Sequence, residues 1–267
     1  MHDYYMRFGL ESNPFPKNAR QIILDTLQFR EVQTRLDRLL STGGIGVLTG
    51  DPGKGKTTSV RIWTSTLNPS LYKVVYNKLS TVSVNDFYRN LVFNFGLEPC
   101  YKKPDNFRLI QEEIIRYAEK RITPIIVIDE AMHVCKGILH DLKSLFNFEM
   151  DSRDLAIVIM TGLPELNRTL NLKVHESLRQ RITMNYNMEG ITREESKQYI
   201  QKKLEGVGCI REVFTANAIE ALANAANGVP RMLNKLADRA MQIADSKNLS
   251  LIDADIVGEA VSDIELK

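Results

Sequence analysis

Short apolar runs alternate along the chain with longer segments in which apolar residues recur every three to four positions. The apolar runs predict five strands, at Gly44–Gly50, Leu71–Asn77, Pro124–Glu130, Leu155–Gly162 and Ile182–Met188. The third run is apolar from Pro124 to Ile128, before its final Asp129 and Glu130, which is typical of a strand covered on both faces. The fifth alternates between apolar and polar residues, as an edge strand does. Strands that alternate with helices predict a three-layer α/β domain with a largely parallel five-stranded sheet.

Predicted helices lie between these strands and make up the chain after the fifth strand. One helix is predicted from Lys56 to about Leu67, and two more follow that are capped by Ser83 and Asp105 and end near Gly96 and Arg121. After Met188 the strands stop, and four helices are predicted to start at Thr192, Thr215, Pro230 and Asp253. The prediction is therefore a core over residues 1–188 and a small all-α domain over residues 189–267.

The composition indicates the class of protein but does not identify a binding partner. The chain is 43% hydrophobic and 25% charged, which is typical of a globular protein. Its net charge of +2 does not by itself indicate nucleic acid, although a local basic face fits within that balance. The three cysteines form no CxxC pair, and the four histidines have no metal-ligand spacing. Neither a signal peptide nor a membrane-spanning run is present, so a cytoplasmic location without a membrane partner is expected.

A glycine-rich motif of the form GxxxxGK[ST] links the first strand to the helix after it. Its backbone N–H groups and the helix N-terminus are suited to bind phosphate. Lys56 would neutralise the β- and γ-phosphates, and the Thr57 hydroxyl would ligate Mg²⁺, so ATP and Mg²⁺ are the expected cofactors. The candidate nucleotide-binding residues are Gly50, Asp51, Pro52, Gly53, Lys54, Gly55, Lys56, Thr57 and Thr58.

Two carboxylates and a threonine at strand ends complete a hydrolytic site. Asp129 would hold Mg²⁺ through its water shell, and Glu130 is placed to orient or deprotonate the attacking water. Two carboxylates in tandem favour ATP hydrolysis to ADP and phosphate over a nucleotide-gated scaffold. Thr161 would face the γ-phosphate if its strand lies between the first and third, or would otherwise cap the turn that follows.

Three arginines are placed where they can reach an anion. Arg231 follows Pro230 at a helix start, where its charge opposes the helix dipole unless it faces a phosphate. Arg179 and Arg181 directly precede the fifth strand. They are either favourable cations at a helix C-terminus or guanidinium groups that reach ATP on a neighbouring copy, which would make the protein a homo-oligomer.

Together these segments resemble the AAA+ ATPases and, more narrowly, their ExeA/TniB-like branch. The resemblance covers nearly the whole chain and runs through RFGLESNPF, TGDPGKGKTTS, IIVIDEAMH, TGLPELNRTL and LRQRI to NGVPRMLNKLADRA. It implies that the all-α domain is the lid of a P-loop AAA+ core. The roles it implies are Walker A for Lys56 and Thr57, Walker B for Asp129 and Glu130, sensor 1 for Thr161 and sensor 2 for Arg231.

The same resemblance implies a residue that acts between copies of the chain and a residue that packs near the adenine of ATP. It implies that Arg181 is the finger that acts on the neighbouring copy, with Arg179 as the alternate. It also implies that Phe15, in the N-terminal FGL…PF segment, packs near the adenine; plain N-terminal packing is the other interpretation.

The branch has two functional arms. The secretion-associated ATPases carry a membrane span and a cell-wall-binding domain after the lid, and the sequence up to Lys267 contains neither. The expectation is therefore the other arm, the TniB-, TnsC- and IstB-like regulators, which assemble with ATP as a ring or helical filament on duplex DNA and recruit or activate a transposase. An ExeA-like secretion or envelope ATPase that does not bind DNA remains the alternative.

Duplex DNA would be bound through its phosphates by residues near the second strand and after the third. Any one of the lysines concerned is also explained as an ordinary solvated charge. The candidates are Lys78, Ser80, Thr81, Lys73, Lys102, Lys103 and Lys136.

Overall fold

The computed structural model describes residues 4–16, 24–78, 83–146, 148, 154–209 and 211–264. Within these residues the chain divides into two compact units. The sheet unit comprises Glu31–Asp51 and Lys56–Met188. The helical unit comprises Met1–Arg30, Pro52–Gly55 and Glu189–Lys267, so the N-terminal segment belongs with the last helices.

The strands of the sheet unit are β1 (Gly44–Gly50), β2 (Tyr72–Asn77), β3 (Thr123–Ile128), β4 (Ile157–Gly162) and β5 (Ile182–Met188). They form one parallel sheet in the order β2-β3-β4-β1-β5. The predicted five-stranded parallel sheet is thereby confirmed, and β5 is an edge strand as its alternating pattern predicts. β4 lies between β1 and β3, which is the condition on which the role of Thr161 depended.

Alternate side chains of the central strands point to opposite faces of the sheet. On β1, Ile45 and Val47 join one hydrophobic cluster, while Leu48 joins the cluster on the other face. The same alternation on β3 places Ile126 in the first cluster and Val127 in the second. Both faces are therefore covered, which accounts for the wholly apolar strands and confirms the three-layer α/β fold.

The helices of the described residues are α1 (Leu27–Thr42), α2 (Lys56–Thr66), α3 (Val84–Phe95), α4 (Lys103–Glu119), α5 (Lys136–Leu145), α6 (Glu165–Leu170), α7 (Glu176–Arg179), α8 (Arg193–Glu205), α9 (Ala216–Ala226), α10 (Pro230–Ser246) and α11 (Ala254–Ile264). Short 3₁₀ turns occupy Tyr4–Phe8, Ala131–His133 and Lys173–His175. Each helix in the described part of the chain is too short or too polar to cross a lipid bilayer.

Two sequence predictions in the sheet unit are wrong in detail. Asp105 does not cap α4, because Lys102 is the N-cap and Pro104 sits in the first turn with a φ already suited to a helix. Asp105 is instead an acidic residue of that first turn, where the helix dipole favours it. β3 stops at Ile128 and does not include Glu130, whose φ of 52° leaves the extended region.

The helical unit contains the four predicted helices α8 to α11, with the predicted caps. The Thr192 side chain accepts a hydrogen bond from the Glu195 N–H at 3.1 Å, and the Glu195 carboxylate accepts one from the Thr192 N–H at 2.8 Å. This capping box satisfies two N–H groups that a helix start leaves unpaired, and each such cap contributes about 1 kcal/mol. Asn227 ends α9 in the left-handed conformation.

The N-terminal segment is part of the core of the helical unit. Phe8, Leu10 and Phe15 are each at most 4% exposed and share a hydrophobic cluster with α8 to α11. Arg7 pairs with Asp245 near the end of α10, with Nε 2.5 Å from Oδ1. These contacts anchor the first described residues to helices that lie more than two hundred positions later in the sequence.

In the helical unit, the backbone at Gly190 and Ile191 crosses the backbone at Gly228 at very close range. The Ile191 N–H donates to the Gly228 carbonyl at 3.0 Å. A Cβ atom on Gly190 would lie 2.2 Å from that same carbonyl oxygen, and Gly190 has a φ of +99°. Only glycine fits this crossing, since any side chain would collide with rigid backbone.

Candidate active site

The loop between β1 and α2 has a backbone that requires glycine. Gly53 and Gly55 have φ values of 80° and 101°, in the region that L-residues with a side chain rarely adopt. The loop leads into α2 at Lys56, so the N–H groups of the first turn of α2 follow it directly. The predicted strand, glycine loop and helix are all present, which is the structural context that the motif demands.

Lys56 lies folded over this loop. Its ammonium group donates to the carbonyl of Gly50 at 2.6 Å and to the carbonyl of Asp51 at 2.9 Å. The positive charge is therefore held at the carboxyl end of β1. Of the other predicted loop residues, Asp51, Pro52 and Thr58 are exposed and Lys54 is partly exposed.

Asp129 is 9% exposed, and its carboxylate contacts side chains from three other elements. Thr57 on α2 donates its hydroxyl to Oδ2 at 3.0 Å, and Thr161 on β4 donates its hydroxyl to Oδ1 in a short contact. Tyr76 on β2 donates its hydroxyl to Oδ2 at 2.7 Å. The N–H of Glu130 donates to Oδ1 at 3.0 Å, so both carboxylate oxygens are occupied.

The sheet register explains why these groups meet. Ile128 is paired with Met160 across β3 and β4, so the next residues on each strand, Asp129 and Thr161, lie side by side. The Asp129 N–H donates to the Asn77 carbonyl at 3.1 Å, which ties the end of β3 to the end of β2. The carboxyl ends of parallel strands meet at one edge of the sheet, where open α/β folds bind ligands.

This donor set fits magnesium. A threonine hydroxyl and a carboxylate in direct contact are both hard oxygen ligands, and Mg²⁺ is usually held by one or two carboxylates together with phosphates and water. No group of three or more His, Cys, Asp or Glu side chains in the described residues is arranged to hold a metal. A single aspartate beside a threonine is what a nucleotide-bound Mg²⁺ needs, and a metal that takes its ligands from protein alone would need more.

Tyr76 was missed by sequence reasoning. Burial and the hydrogen bond to Asp129 raise the pKa of Tyr76 well above its ordinary value, so its hydroxyl remains a donor at neutral pH. The run YKVVYN offers no motif that singles out this tyrosine. Only the sheet order, which puts β2 beside β3, reveals that its hydroxyl can reach Asp129.

Glu130 stands exposed directly after Asp129. Its backbone is left-handed, with φ 52° and ψ 40°, which non-glycine residues adopt at a cost of about 1 kcal/mol. Conformations of this kind persist where the surrounding structure imposes them, often at functional sites. The turn projects Glu130 away from the strand and into solvent, where its carboxylate can meet a water molecule.

The two arginines before β5 differ in their surroundings. Arg181 is half-buried and donates from Nη1 to the Phe146 carbonyl at 3.2 Å; this burial lowers the pKa of Arg181 from its ordinary value. Arg179 ends α7, is exposed, and donates from Nη1 to the Asn171 carbonyl at 3.1 Å.

Arg231 and Phe15 lie in the helical unit. Arg231 is exposed in the first turn of α10, and its N–H lies 3.4 Å from the carbonyl of Gly53. A Cβ on Gly53 would lie 2.8 Å from the Cβ of Arg231. Phe15 is 4% exposed and packs edge-on against Phe214, with ring centroids 6.4 Å apart.

The lysines predicted to bind DNA have different environments. Lys78, Lys102 and Lys136 are exposed, and Lys73 is partly buried on the edge strand β2. Lys103 forms an ion pair with Asp141 at 2.5 Å. Ser80 and Thr81 lie outside the described residues.

The chain is similar to a known protein family and to a curated relative. The model of the family described as "AAA domain" matches residues 37–170. The chain is 28% identical to general secretion pathway protein A of Aeromonas hydrophila over 244 residues, which make up 89% of this chain and 44% of that protein. The chain therefore spans less than half the length of this curated relative.

Solved structures resemble the fold over almost the whole chain. Cdc6p from Pyrobaculum aerophilum superposes with a TM-score of 0.72 at 14% identity, covering 97% of this chain and 71% of that one. The ORC1 protein of Aeropyrum pernix, solved in complex with DNA, gives a TM-score of 0.68 at 17% identity, covering 94% of this chain and 69% of that one. Likeness at these identities concerns the fold alone.

Proposed function

Since this chain belongs to the AAA domain family, we propose that it binds ATP with Mg²⁺ and hydrolyses the ATP to ADP and phosphate. The observation that carries the proposal is the shared carboxylate of Asp129. It is in contact with hydroxyl groups from α2 and β4, and the exposed Glu130 follows it directly. This contact supports the proposal, because Asp129 would serve as the metal ligand, Thr161 as the neighbour of the γ-phosphate and Glu130 as the base.

Each residue has a defined task in this proposal. The loop N–H groups and the ammonium of Lys56 bind the phosphates. Thr57 and Asp129 would hold Mg²⁺, the threonine through its hydroxyl and the aspartate through water molecules of the ion. When bound, Mg²⁺ would supply positive charge that offsets the charge of the phosphates. Thr161 orients the attacking water, and Glu130 accepts its proton.

Replacing Glu130 tests the hydrolytic step. Glu130→Gln should retain the affinity for a fluorescent ATP analogue while turnover falls about a hundredfold or more, because a general base contributes on that scale. Glu119→Gln, an exposed glutamate at the end of α4, is the matched control and should leave both unchanged. Wild-type turnover in Glu130→Gln would remove the base from the proposal. A wild-type protein that binds ATP without hydrolysing it would be a nucleotide-gated scaffold.

We propose that hydrolysis requires a second copy of the chain, whose arginine reaches the γ-phosphate. The exposure of Arg179 supports it as the finger, because it can extend without leaving a buried contact. The family resemblance supports Arg181, which would first have to release the Phe146 carbonyl. Arg179 and Arg181 are therefore both candidates for the finger, whether the protein assembles as a ring or as a helical filament.

We further propose that the assembled protein binds duplex DNA and regulates transposition by recruiting or activating a transposase. The exposed Lys78, Lys102 and Lys136 support binding to phosphates, as does the likeness to an ORC1 protein solved with DNA. Lys103 contributes less in this proposal, since its charge is already paired with Asp141.

A second candidate function is an ATPase of a secretion or envelope-assembly system that does not bind DNA. The identity of 28% to general secretion pathway protein A favours it. A gel shift with duplex DNA in the presence of a non-hydrolysable ATP analogue, ADP or no nucleotide separates the two. Binding that requires the ATP analogue and weakens in Lys78→Ala supports the DNA regulator, whereas no binding in any state supports the secretion ATPase.

A further inference from the structure

Tyr76 has an orientation that packing alone does not explain. The residue is 44% exposed on the edge strand β2. An exposed tyrosine ordinarily keeps its polar tip in water and lays its ring on the protein. Here the tip is turned inward, and the hydroxyl donates to Oδ2 of Asp129 at 2.7 Å. The hydrogen bond is therefore the feature that fixes the side chain.

Oδ2 of Asp129 receives two hydroxyl donors, from Tyr76 and from Thr57. When nucleotide binds, the Thr57 hydroxyl would leave Oδ2 to ligate Mg²⁺, whereas the Tyr76 hydroxyl would stay. When the Thr57 hydroxyl turns away, Oδ2 keeps Tyr76, while Oδ1 keeps Thr161 and the Glu130 N–H. The carboxylate is then held at both oxygens without Thr57.

We propose that Tyr76 is a positioning residue that holds the Asp129 carboxylate in the orientation that binds hydrated Mg²⁺. This inference rests on the proposed function, since it concerns the same metal. Without the tyrosine hydroxyl, Oδ2 has no donor among the described residues once Thr57 leaves, and only Oδ1 is still held, by Thr161 and the Glu130 N–H. The position of Oδ2 is then less restrained. A less restrained ligand binds the ion more weakly, because its orientation must be fixed at each binding event.

The strand offers a matched pair of variants. Tyr76→Phe removes one oxygen atom and retains the ring, and Tyr72→Phe does the same at the opposite end of β2. Binding of a fluorescent ATP analogue is measured for each as Mg²⁺ is raised from zero, and Mn²⁺ binding in the presence of the analogue is measured by electron paramagnetic resonance. Thermal unfolding shows whether either variant is misfolded.

Tyr76→Phe should need about three to ten times more Mg²⁺ or Mn²⁺ for half-saturation, the effect expected from one lost hydrogen bond to a carboxylate. Its affinity for the analogue in EDTA should equal that of wild type, because Tyr76 does not contact phosphate. Tyr72→Phe should match wild type in both measurements.

The outcomes distinguish this inference from the proposed function. An unchanged or lower metal requirement in Tyr76→Phe overturns the positioning role while ATP binding by wild type still stands. A loss of affinity in EDTA as well as in metal also overturns it, because the effect would then not pass through the ion. A wild-type protein that binds no nucleotide overturns both proposals.

Discussion

Two buried side chains of the sheet unit are opposites in their hydrogen bonding. Asp129 accepts hydrogen bonds from three hydroxyl groups and one N–H group. His175 is 2% exposed, and within the described residues neither of its ring nitrogens has a hydrogen-bond partner. A buried imidazole of this kind is tolerated only while it is neutral, because a buried charge without a partner is far more costly than a buried polar group.

His175 should therefore make the protein sensitive to acid. Burial, followed by the electrostatic effects of Lys136 and His140, lowers the pKa of His175 below its ordinary 6.5. The unfolded chain then takes up a proton at a higher pH than the folded protein does. The free energy of unfolding should be at its full value above about pH 6.5 and should decrease as the pH falls from there through the folded-state pKa.

Urea unfolding at a series of pH values tests this expectation. His175→Leu should lose this part of the acid sensitivity with little loss of stability at neutral pH, since no partner is left unsatisfied. His140→Gln, an exposed control on α5, should keep most of it, because burial is the largest cause of the shift. Equal acid sensitivity in wild type and His175→Leu would show that His175 is not the group responsible.

Single residues of the site were predictable to the extent that a motif names them. The spacing of the glycine loop identifies Lys56 and Thr57, and a carboxylate after a buried strand identifies Asp129. The position of Thr161 beside the γ-phosphate was predicted only on the condition that β4 lies between β1 and β3. The sheet order satisfies that condition. Tyr76 was not predictable, because its link to Asp129 arises from two strands that are distant in sequence.

At the scale of elements, local chemistry predicted boundaries where a cap is unambiguous. Gly96 ends α3 in the left-handed conformation, and the capping box of Thr192 starts α8, both as expected. Asp105 misled because Pro104 allows α4 to begin earlier. The helices α1, α5 and α6 were not predicted, and α6 has only six residues, too few for a helical period to be recognised.

The crossing at Gly190 makes a sharp prediction about element stability. Gly190→Ala should lower the free energy of unfolding by at least about 2 kcal/mol, because the new Cβ meets a rigid carbonyl in a left-handed conformation. Gly258→Ala, inside α11 with nothing within 4 Å of the new Cβ, should instead raise it by about 0.5–1 kcal/mol. Chemical unfolding of both variants checks the pair. A stable Gly190→Ala would mean that the two segments are not held this closely.

At the scale of the whole molecule, the proposed arginine finger would act between two copies of the chain and not within one. If Arg179 is the finger, Arg179→Ala should keep ATP binding and lose about a thousandfold in turnover. Arg181→Ala should mainly lower stability, since it removes the hydrogen bond to the Phe146 carbonyl.

Mixing experiments identify which arginine acts on the neighbouring copy. In the proposed assembly, a Lys56→Ala subunit should fail to use its own ATP but should still supply intact arginines to its neighbour. Mixed with the true finger variant it should restore part of the ATPase activity, because some interfaces then combine a complete nucleotide site with an intact finger. Restoration with Arg181→Ala and not with Arg179→Ala would favour the assignment implied by the family resemblance. Restoration with neither would contradict a trans role.

The discontinuous helical unit has a consequence for synthesis on the ribosome. Phe15 packs against Phe214, about two hundred residues later. At translation rates of about 5–20 residues per second, the N-terminal segment waits for roughly 10–40 s before its native partners emerge. During that time Phe8, Leu10 and Phe15 have no native core to enter. These three side chains therefore stay exposed on the nascent chain for longer than side chains whose partners are near in sequence.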